Sequence, residues 1–251
     1  MNLRQLVFYK LTIQGYMKRV LGRTIPVEGW GEWNVPRRGA ALLIANHRCW
    51  LDPIFIAMVM SRQVNWAGVD FHFNIPAVRW FCEQAGIIPI SVEGGKKSRA
   101  SLKIAVEILE RKRGELVGIF PEGVSNFLNP SMDEKIIRFH TGFARIALEA
   151  KVPVVPIAVI GHGEKLIAEV PGFVVGWFTP LERFRHGAKM LIYESVTVNI
   201  GAPFTLEEYY DRGITKETLR EISGRARDTV IRLYEEKSQA AATRRPLRNR
   251  L

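Results

Sequence analysis

Apolar residues fall in short runs that alternate with stretches showing a helical stripe. The run at residues 40–45 (AALLIA) is continuous and apolar, as a strand buried on both faces is. Further strands are predicted at 64–69, 87–90, 116–120, 154–160 and 190–200. Helices are predicted between them at 76–85, at 98–113 with Gly114 as C-cap, and at 141–150. Asp52-Pro53 before the run IFIAMVM is a helix start, with Asp52 at the N-cap and Pro53 at the first helical position. Thr205 and Glu208 have capping-box spacing, and Leu219, Ile222, Ala226, Val230 and Leu233 mark a long amphipathic helix. At the N-terminus Leu3, Leu6, Val7, Ile13, Met17, Val20 and Leu21 lie near one stripe of a further amphipathic helix. In Val152-Pro153-Val154-Val155-Pro156 the prolines cannot donate to a ladder, so that strand is irregular at its start or lies at an edge. Strands alternating with helices predict an α/β fold with a largely parallel central sheet flanked by helices.

Composition narrows the class. At 251 residues, 47% hydrophobic and 24% charged, the chain can bury a core. Its two cysteines, Cys49 and Cys82, form neither a disulfide framework nor a Cys-x-x-Cys pair, and no metal site is expected. No apolar stretch approaches the roughly 20 residues of a membrane-spanning helix. The net charge of +11 is concentrated at the ends, on Arg4, Lys10, Lys18, Arg19 and Arg23 and on Arg244, Arg245, Arg248 and Arg250. A polyanion is therefore an expected neighbour, either an anionic lipid surface or a nucleic acid. The sequence divides into a basic amphipathic helix at 1–23, which lies in a membrane interface or packs on its own domain, a folded domain at 24–238 and a basic tail at 239–251 without apolar periodicity.

Two segments could carry chemistry. His47 and Asp52 stand five apart in the turn between the 40–45 strand and the following helix, where open α/β sheets bind ligands. An imidazole there can accept a proton from an attacking hydroxyl, and a carboxylate on its other nitrogen would fix the tautomer. Asp52 alone would also serve as an ordinary N-cap. Phe120-Pro121-Glu122-Gly123 ends another strand and offers a carboxylate beside a glycine, although Pro-Glu-Gly is equally a turn sequence. No Gly-x-Ser-x-Gly elbow and no P-loop accompany them, so the base would act on the substrate's own hydroxyl.

In order and spacing these segments resemble the glycerolipid acyltransferase family, which includes the bacterial 1-acyl-glycerol-3-phosphate acyltransferases. Asn46-His47 through Asp52 matches its His-x4-Asp motif, Ile119-Phe120-Pro121-Glu122-Gly123 its third motif and Val152-Pro153-Val154-Val155-Pro156 its fourth. Gly86-Ile87-Ile88-Pro89-Ile90 occupies the second motif's place, and Phe139-His140-Thr141-Gly142-Phe143 stands where the family often has Phe-Lys-Lys-Gly. The resemblance covers roughly residues 38–165. It implies a glycerol-phosphate acyltransferase-like fold, with His47 as general base, Asp52 orienting it, and Asn46, Pro121, Glu122 and Gly123 seating the acceptor. It further implies a lipid acceptor, an acyl carrier protein or coenzyme A thioester as co-substrate, no other cofactor, and a place on the cytoplasmic face of a membrane.

Two departures bear on the acceptor. Where the family's second motif commonly ends in an arginine, Ser91-Val92-Glu93 stands here, and after Gly123 the usual Thr-Arg-Ser is replaced by Val124-Ser125-Asn126. Arginine binds phosphate through a two-pronged contact that neither Val nor Ser reproduces. Lys96, Lys97, Arg99, Arg138 and His140 are the remaining candidate cations for a phosphate. The expected reaction is acylation of 1-acyl-glycerol-3-phosphate to phosphatidate, with a phosphate-free acceptor (a lyso-ornithine lipid, a glycosylated lipid or a pigment) as the alternative. A basic nucleic-acid-binding module is the rival of another class, but the charge lies at the ends rather than along one face, so no nucleic-acid partner is expected.

Overall fold

The computed structural model describes residues 3–91, 95–111, 114–131, 133–178, 182 and 186–244. The basic stretch from 245 onward, Val92, Glu93 and Arg113 lie outside them. Seven strands form one sheet in the order β1-β9-β6-β2-β5-β3-β4. They are β1 (Val27–Trp30), β2 (Ala41–Ala45), β3 (Val64–Val69), β4 (Ile88–Ile90), β5 (Leu116–Ile119), β6 (Val154–His162) and β9 (Ser195–Ile200). From β6 to β4 every pairing is parallel, whereas β9 runs antiparallel to β6 and carries β1 parallel to itself. Five strands thus share one direction, as the alternation of elements predicted.

The pleat sorts the core. Along β2, Leu42 and Ile44 point to one face and Ala41, Leu43 and Ala45 to the other, all fully buried. On the first face lie α5 (Gly95–Glu110), α7 (Gly142–Ala150) and the long α9 (Lys216–Arg244). On the second lies α3 (Asp52–Val59). Five of the six predicted strands and the helices at 76–85 (α4, Pro76–Ala85) and 141–150 are found in place.

Four local expectations change. The 190–200 strand is two: β8 (Ala188–Ile192) leaves the main sheet to pair with β7 (Lys165–Val170), and only β9 stays. Between β7 and β8 runs α8 (Gly172–Phe178), which packs through Val175 against Val124. Thr205 and Glu208 form no capping box. A 3₁₀ turn follows at Glu207–Arg212, and α9 starts at Lys216, where Thr215 Oγ1 accepts from Thr218 N at 3.1 Å. That helix then runs on to Arg244, past the start of the expected aperiodic tail. Gly114 (φ +64°) lies beyond the end of α5 at Glu110, close against Gly39. The proline-bearing strand is irregular at its start and is not an edge: β6 lies between β2 and β9, and its regular pairing with β9 begins at Ile157, after Pro156.

The N-terminal segment is helical from α1 (Leu3–Phe8) to α2 (Lys18–Thr24), but the stretch between, Tyr9–Met17, has π-helical turns. The wider turn places Tyr9 and Ile13 inward on Ala57, with Met17 beside them, while Leu6, Val7, Leu11 and Val20 stay exposed. The single stripe expected at 3.6-residue spacing is therefore divided between two faces. Phe8 packs edge-on against Trp80 and Phe81 of α4, at 5.8 Å from each ring. No helix among the described residues is long and apolar enough to cross a membrane.

Ile44 sits fully buried in the central strand. Ile44→Ala should lower the unfolding free energy by about 2–5 kcal/mol, measured by urea denaturation. A loss within about 0.5 kcal/mol, as for surface substitutions, would contradict this placement.

Candidate active site

The carboxyl ends of three adjacent strands, β2, β5 and β6, converge on one group of polar side chains. Asn46 leaves β2 and locks the turn to its neighbour: its amide donates to Val159 O at 2.9 Å and its oxygen accepts from Val159 N at 2.8 Å. The chain then turns through 47–51 into α3. Asp52 occupies the first position of that helix, and its carboxylate folds back over the turn rather than capping the helix. Oδ2 accepts from Arg48 N and Cys49 N, both at 2.8 Å, and pairs with His47 Nδ1 at 3.0 Å. The other oxygen, Oδ1, is buried with no partner among the described residues.

Glu122 comes from the turn after β5 and is fully buried. One of its oxygens accepts from His47 N at 3.3 Å and the other from the Asn126 amide. Gly123 has φ +64°, and the His140 ring lies 3.5 Å from where a Cβ there would stand. Backbone bonding fixes this neighbourhood, since His140 N donates to Pro121 O at 2.8 Å. Asn46, His47, Asp52, Pro121, Glu122, Gly123 and His140 are thus brought together. Lys96, Lys97 and Arg99 are exposed in the first turn of α5, beyond the end of β4 and three strands from β2, and Arg138 is exposed on the loop before α7. A cavity of about 500 Å³ runs along β4, lined by Phe73, Ile87, Ile88, Ile104 and Ile108 among others. None of the residues converging on His47 lines it.

The family model described as Acyltransferase matches residues 27–160, more than half of the chain. The chain belongs to that family. An uncharacterized protein of Mycobacterium tuberculosis is 30% identical over 173 residues, covering 62% of this chain and 45% of that one. A 1-acyl-sn-glycerol-3-phosphate acyltransferase of Helicobacter pylori is 27% identical over 182 residues, 72% of this chain and 70% of the relative. The crystal structure of the 1-acyl-sn-glycerophosphate acyltransferase PlsC from Thermotoga maritima aligns with a TM-score of 0.56 over 89% of this chain and 78% of that one, at 21% identity. That likeness shows a shared fold, as the sequence resemblance implied. This chain spans less than half the length of its mycobacterial relatives.

In this acyltransferase-family chain the site rests on residues that sequence reading passed over. Arg48, beside His47, is only 1% exposed, and all three of its guanidinium nitrogens donate to protein acceptors. Nε and Nη2 both donate to Glu164 at 3.0 Å, and Nη1 donates to Ser131 O at 2.9 Å and Glu134 O at 3.2 Å. Lys135 Nζ donates to the same carboxylate at 2.8 Å. Burial by itself would raise the Glu164 carboxyl, but Arg48 and Lys135 outweigh it and hold it below its ordinary range. Asn126 joins the cluster, donating to Lys135 O at 3.3 Å and accepting from Ser131 N at 3.3 Å. Arg48 thereby fastens the backbone at Ser131 and Glu134 and the turn after β6 to the histidine turn. Its presence inside the His-x4-Asp segment was the only signal in the sequence, since Glu164 is 116 residues away.

Electrostatics separates the remaining groups. Burial, helped by the Asp52 charge, pushes the Cys49 thiol upward, so it stays protonated and is a poor nucleophile. Burial also pushes the Glu122 carboxyl up to about 8, against the donors from Asn126, His47 N and the Ile137 backbone. Glu122 therefore binds its proton more tightly folded than unfolded.

Two outcomes follow from these contacts. Arg48→Met leaves two backbone carbonyls without their donor and Glu164 with Lys135 in place of two partners, and should cost at least about 1–3 kcal/mol of stability in chemical denaturation; a near-neutral effect would show that the cluster holds nothing. For Glu122, the stabilisation is complete below its unfolded value of 4.5 and is lost as pH rises through about 8. Relative to Glu122→Gln, the wild type should lose stability across that window, and parallel stability curves for the two proteins would show the carboxyl already ionised at its lower end.

Proposed function

We propose that this chain is an acyltransferase of lipid biosynthesis that moves a fatty acyl group from a thioester to a lipid hydroxyl. The observation that carries this reading is the His47 Nδ1–Asp52 Oδ2 pair at 3.0 Å, with the same oxygen pinned by two backbone amides. In the tautomer that donates Nδ1–H to Asp52, Nε2 carries the lone pair and is the atom that accepts a proton. His47 removes the proton of the acceptor hydroxyl as its oxygen attacks the thioester carbon. The tetrahedral intermediate collapses, the carbon–sulfur bond breaks, and the thiolate takes the proton from the imidazolium. The Asp52 carboxylate balances the imidazolium charge.

The leading acceptor is 1-acyl-glycerol-3-phosphate, supported by the names of relatives from Helicobacter pylori and plants. Acyl carrier protein or coenzyme A supplies the thioester. A second reading, a phosphate-free acceptor, is favoured by the cations: Arg48 is spent on Glu164 and backbone carbonyls, Lys96, Lys97 and Arg99 stand at the far edge, and His140 is the candidate seated at the Gly123 turn. Peripheral attachment to an anionic membrane is supported by exposed Leu6, Val7, Leu11, Val20 and Trp80, with exposed Arg4, Lys18, Arg19 and Arg23 close in sequence; the cytoplasmic face is what the family resemblance implies.

The test is a panel of lyso-lipids with labelled acyl thioester, run with wild type and His47→Ala. Wild type should acylate lysophosphatidate, and the variant should lose on the order of 10²- to 10⁴-fold in rate while still folding. Turnover of only uncharged or zwitterionic lyso-lipids would select the second reading. Retention of about a tenth of the rate in the variant, a loss well below a general base's contribution, would remove His47 as the base.

A further inference from the structure

The hydrogen bond to Asp52 fixes one atom of the His47 ring, but it does not fix the plane. The second side-chain torsion of histidine is broad, so the tilt of the ring also depends on what lies against its face. The Phe120 ring lies 4.1 Å from His47 at an interplanar angle of 22°, and 4.6 Å from Trp66 at 11°. All three side chains are buried, His47 the least at 9% exposed.

Strand register explains how Trp66 arrives there. Trp66 of β3 is the direct neighbour of Gly118 of β5, and residues 118 and 120 point to the same side of the sheet. A glycine inside a strand often marks a place where another group comes close. At Gly118 a Cβ would stand 2.5 Å from Trp66 Cε3, 2.7 Å from Cζ3 and 2.8 Å from Val64 Cγ1. The indole occupies the space that any other residue at 118 would fill, and from there it reaches the Phe120 ring.

We infer that Trp66 is a positioning residue for His47, acting through the shared Phe120 ring, and that Gly118 is the gap in β5 that admits it. The inference rests on the reading of His47 as the base, and it adds a requirement from a strand that carries none of the residues assigned above to the reaction. Tilting the imidazole moves Nε2 off the hydroxyl proton without altering how the acceptor or the thioester is bound. A defect in Trp66 should thus appear in kcat and not in KM.

The experiment compares Trp66→Leu, Trp66→Phe and Gly118→Ala with wild type, each checked for folding by circular dichroism. Trp66→Leu should lower kcat by about tenfold to a hundredfold, the scale of a misplacement near 1 Å, with KM within about threefold. Trp66→Phe keeps an aromatic face, dispenses with an indole N–H that has no partner among the described residues, and should recover most of the rate. Gly118→Ala should resemble Trp66→Leu; if it does not fold, Trp66→Leu, which opens space instead of closing it, decides alone. A second readout does not need turnover. The Cε1 proton of His47, assigned by its loss in His47→Gln, belongs to a ring stacked on Phe120, so its NMR resonance should move in Trp66→Leu and return in Trp66→Phe. A folded Trp66→Leu with unchanged kcat and an unmoved resonance would overturn the inference, as would a loss confined to KM. A wild type inactive with every thioester and lyso-lipid would overturn the proposed function instead, and the resonance would then decide the positioning by itself.

Discussion

One oxygen atom organises the region around His47. Asp52 Oδ2 takes two backbone amides and an imidazole nitrogen at 2.8–3.0 Å, so the same charge that shapes the turn also aims the ring. Such charge-assisted bonds are short and strong when buried. The arrangement places demands elsewhere: a buried carboxylate needs its donors held rigidly, and the turn supplying them must be anchored on every side. Asn46 anchors it to β6, Glu122 to the turn after β5, and Arg48 to Glu164 and the backbone at Ser131 and Glu134.

The anchors divide the work by their chemistry. Asn46 uses a neutral two-way bond to a neighbouring strand. Arg48 and Glu164 form a nearly dry ion pair whose remaining donors reach backbone carbonyls, the condition under which burying such a pair is tolerable. Glu122 is different, because burial outweighs its donors and keeps it protonated near neutral pH. Its second bond, from the Asn126 amide, links it to the same loop that Arg48 holds. The Glu122 turn and the histidine turn are therefore one hydrogen-bonded unit, joined through Asn126 to the loop that Arg48 holds.

Much of the fold was legible because its signals are local. An unbroken apolar run marks β2, Pro76 opens α4 at the predicted position, and the stripe through Leu219, Ile222, Ala226 and Val230 marks α9. Misreadings arose where local signals compete. The 190–200 segment has strand propensity throughout, but the turn at Tyr193-Glu194 divides it between two sheets. Thr205 and Glu208 have the spacing of a capping box, yet the bond that begins α9 is made by Thr215. The N-terminal stripe assumed 3.6 residues per turn, and the π-helical stretch at Tyr9–Met17 redistributes it.

By itself the sequence determined the alternation of strands and helices, the placement of His47 and Asp52 in one turn, and the membership in an acyltransferase family that their pattern signals. These follow from residues within a few positions of each other, where periodicity and turn chemistry act. Only the tertiary structure decided that Asp52 folds back over the turn instead of capping its helix, that Arg48 is committed to Glu164, and that Trp66 lies across Gly118 against Phe120. Those contacts join segments far apart along the chain, and no local pattern encodes which strands become neighbours. Sheet order and register bring them together, and with them the side chains that hold the imidazole in place.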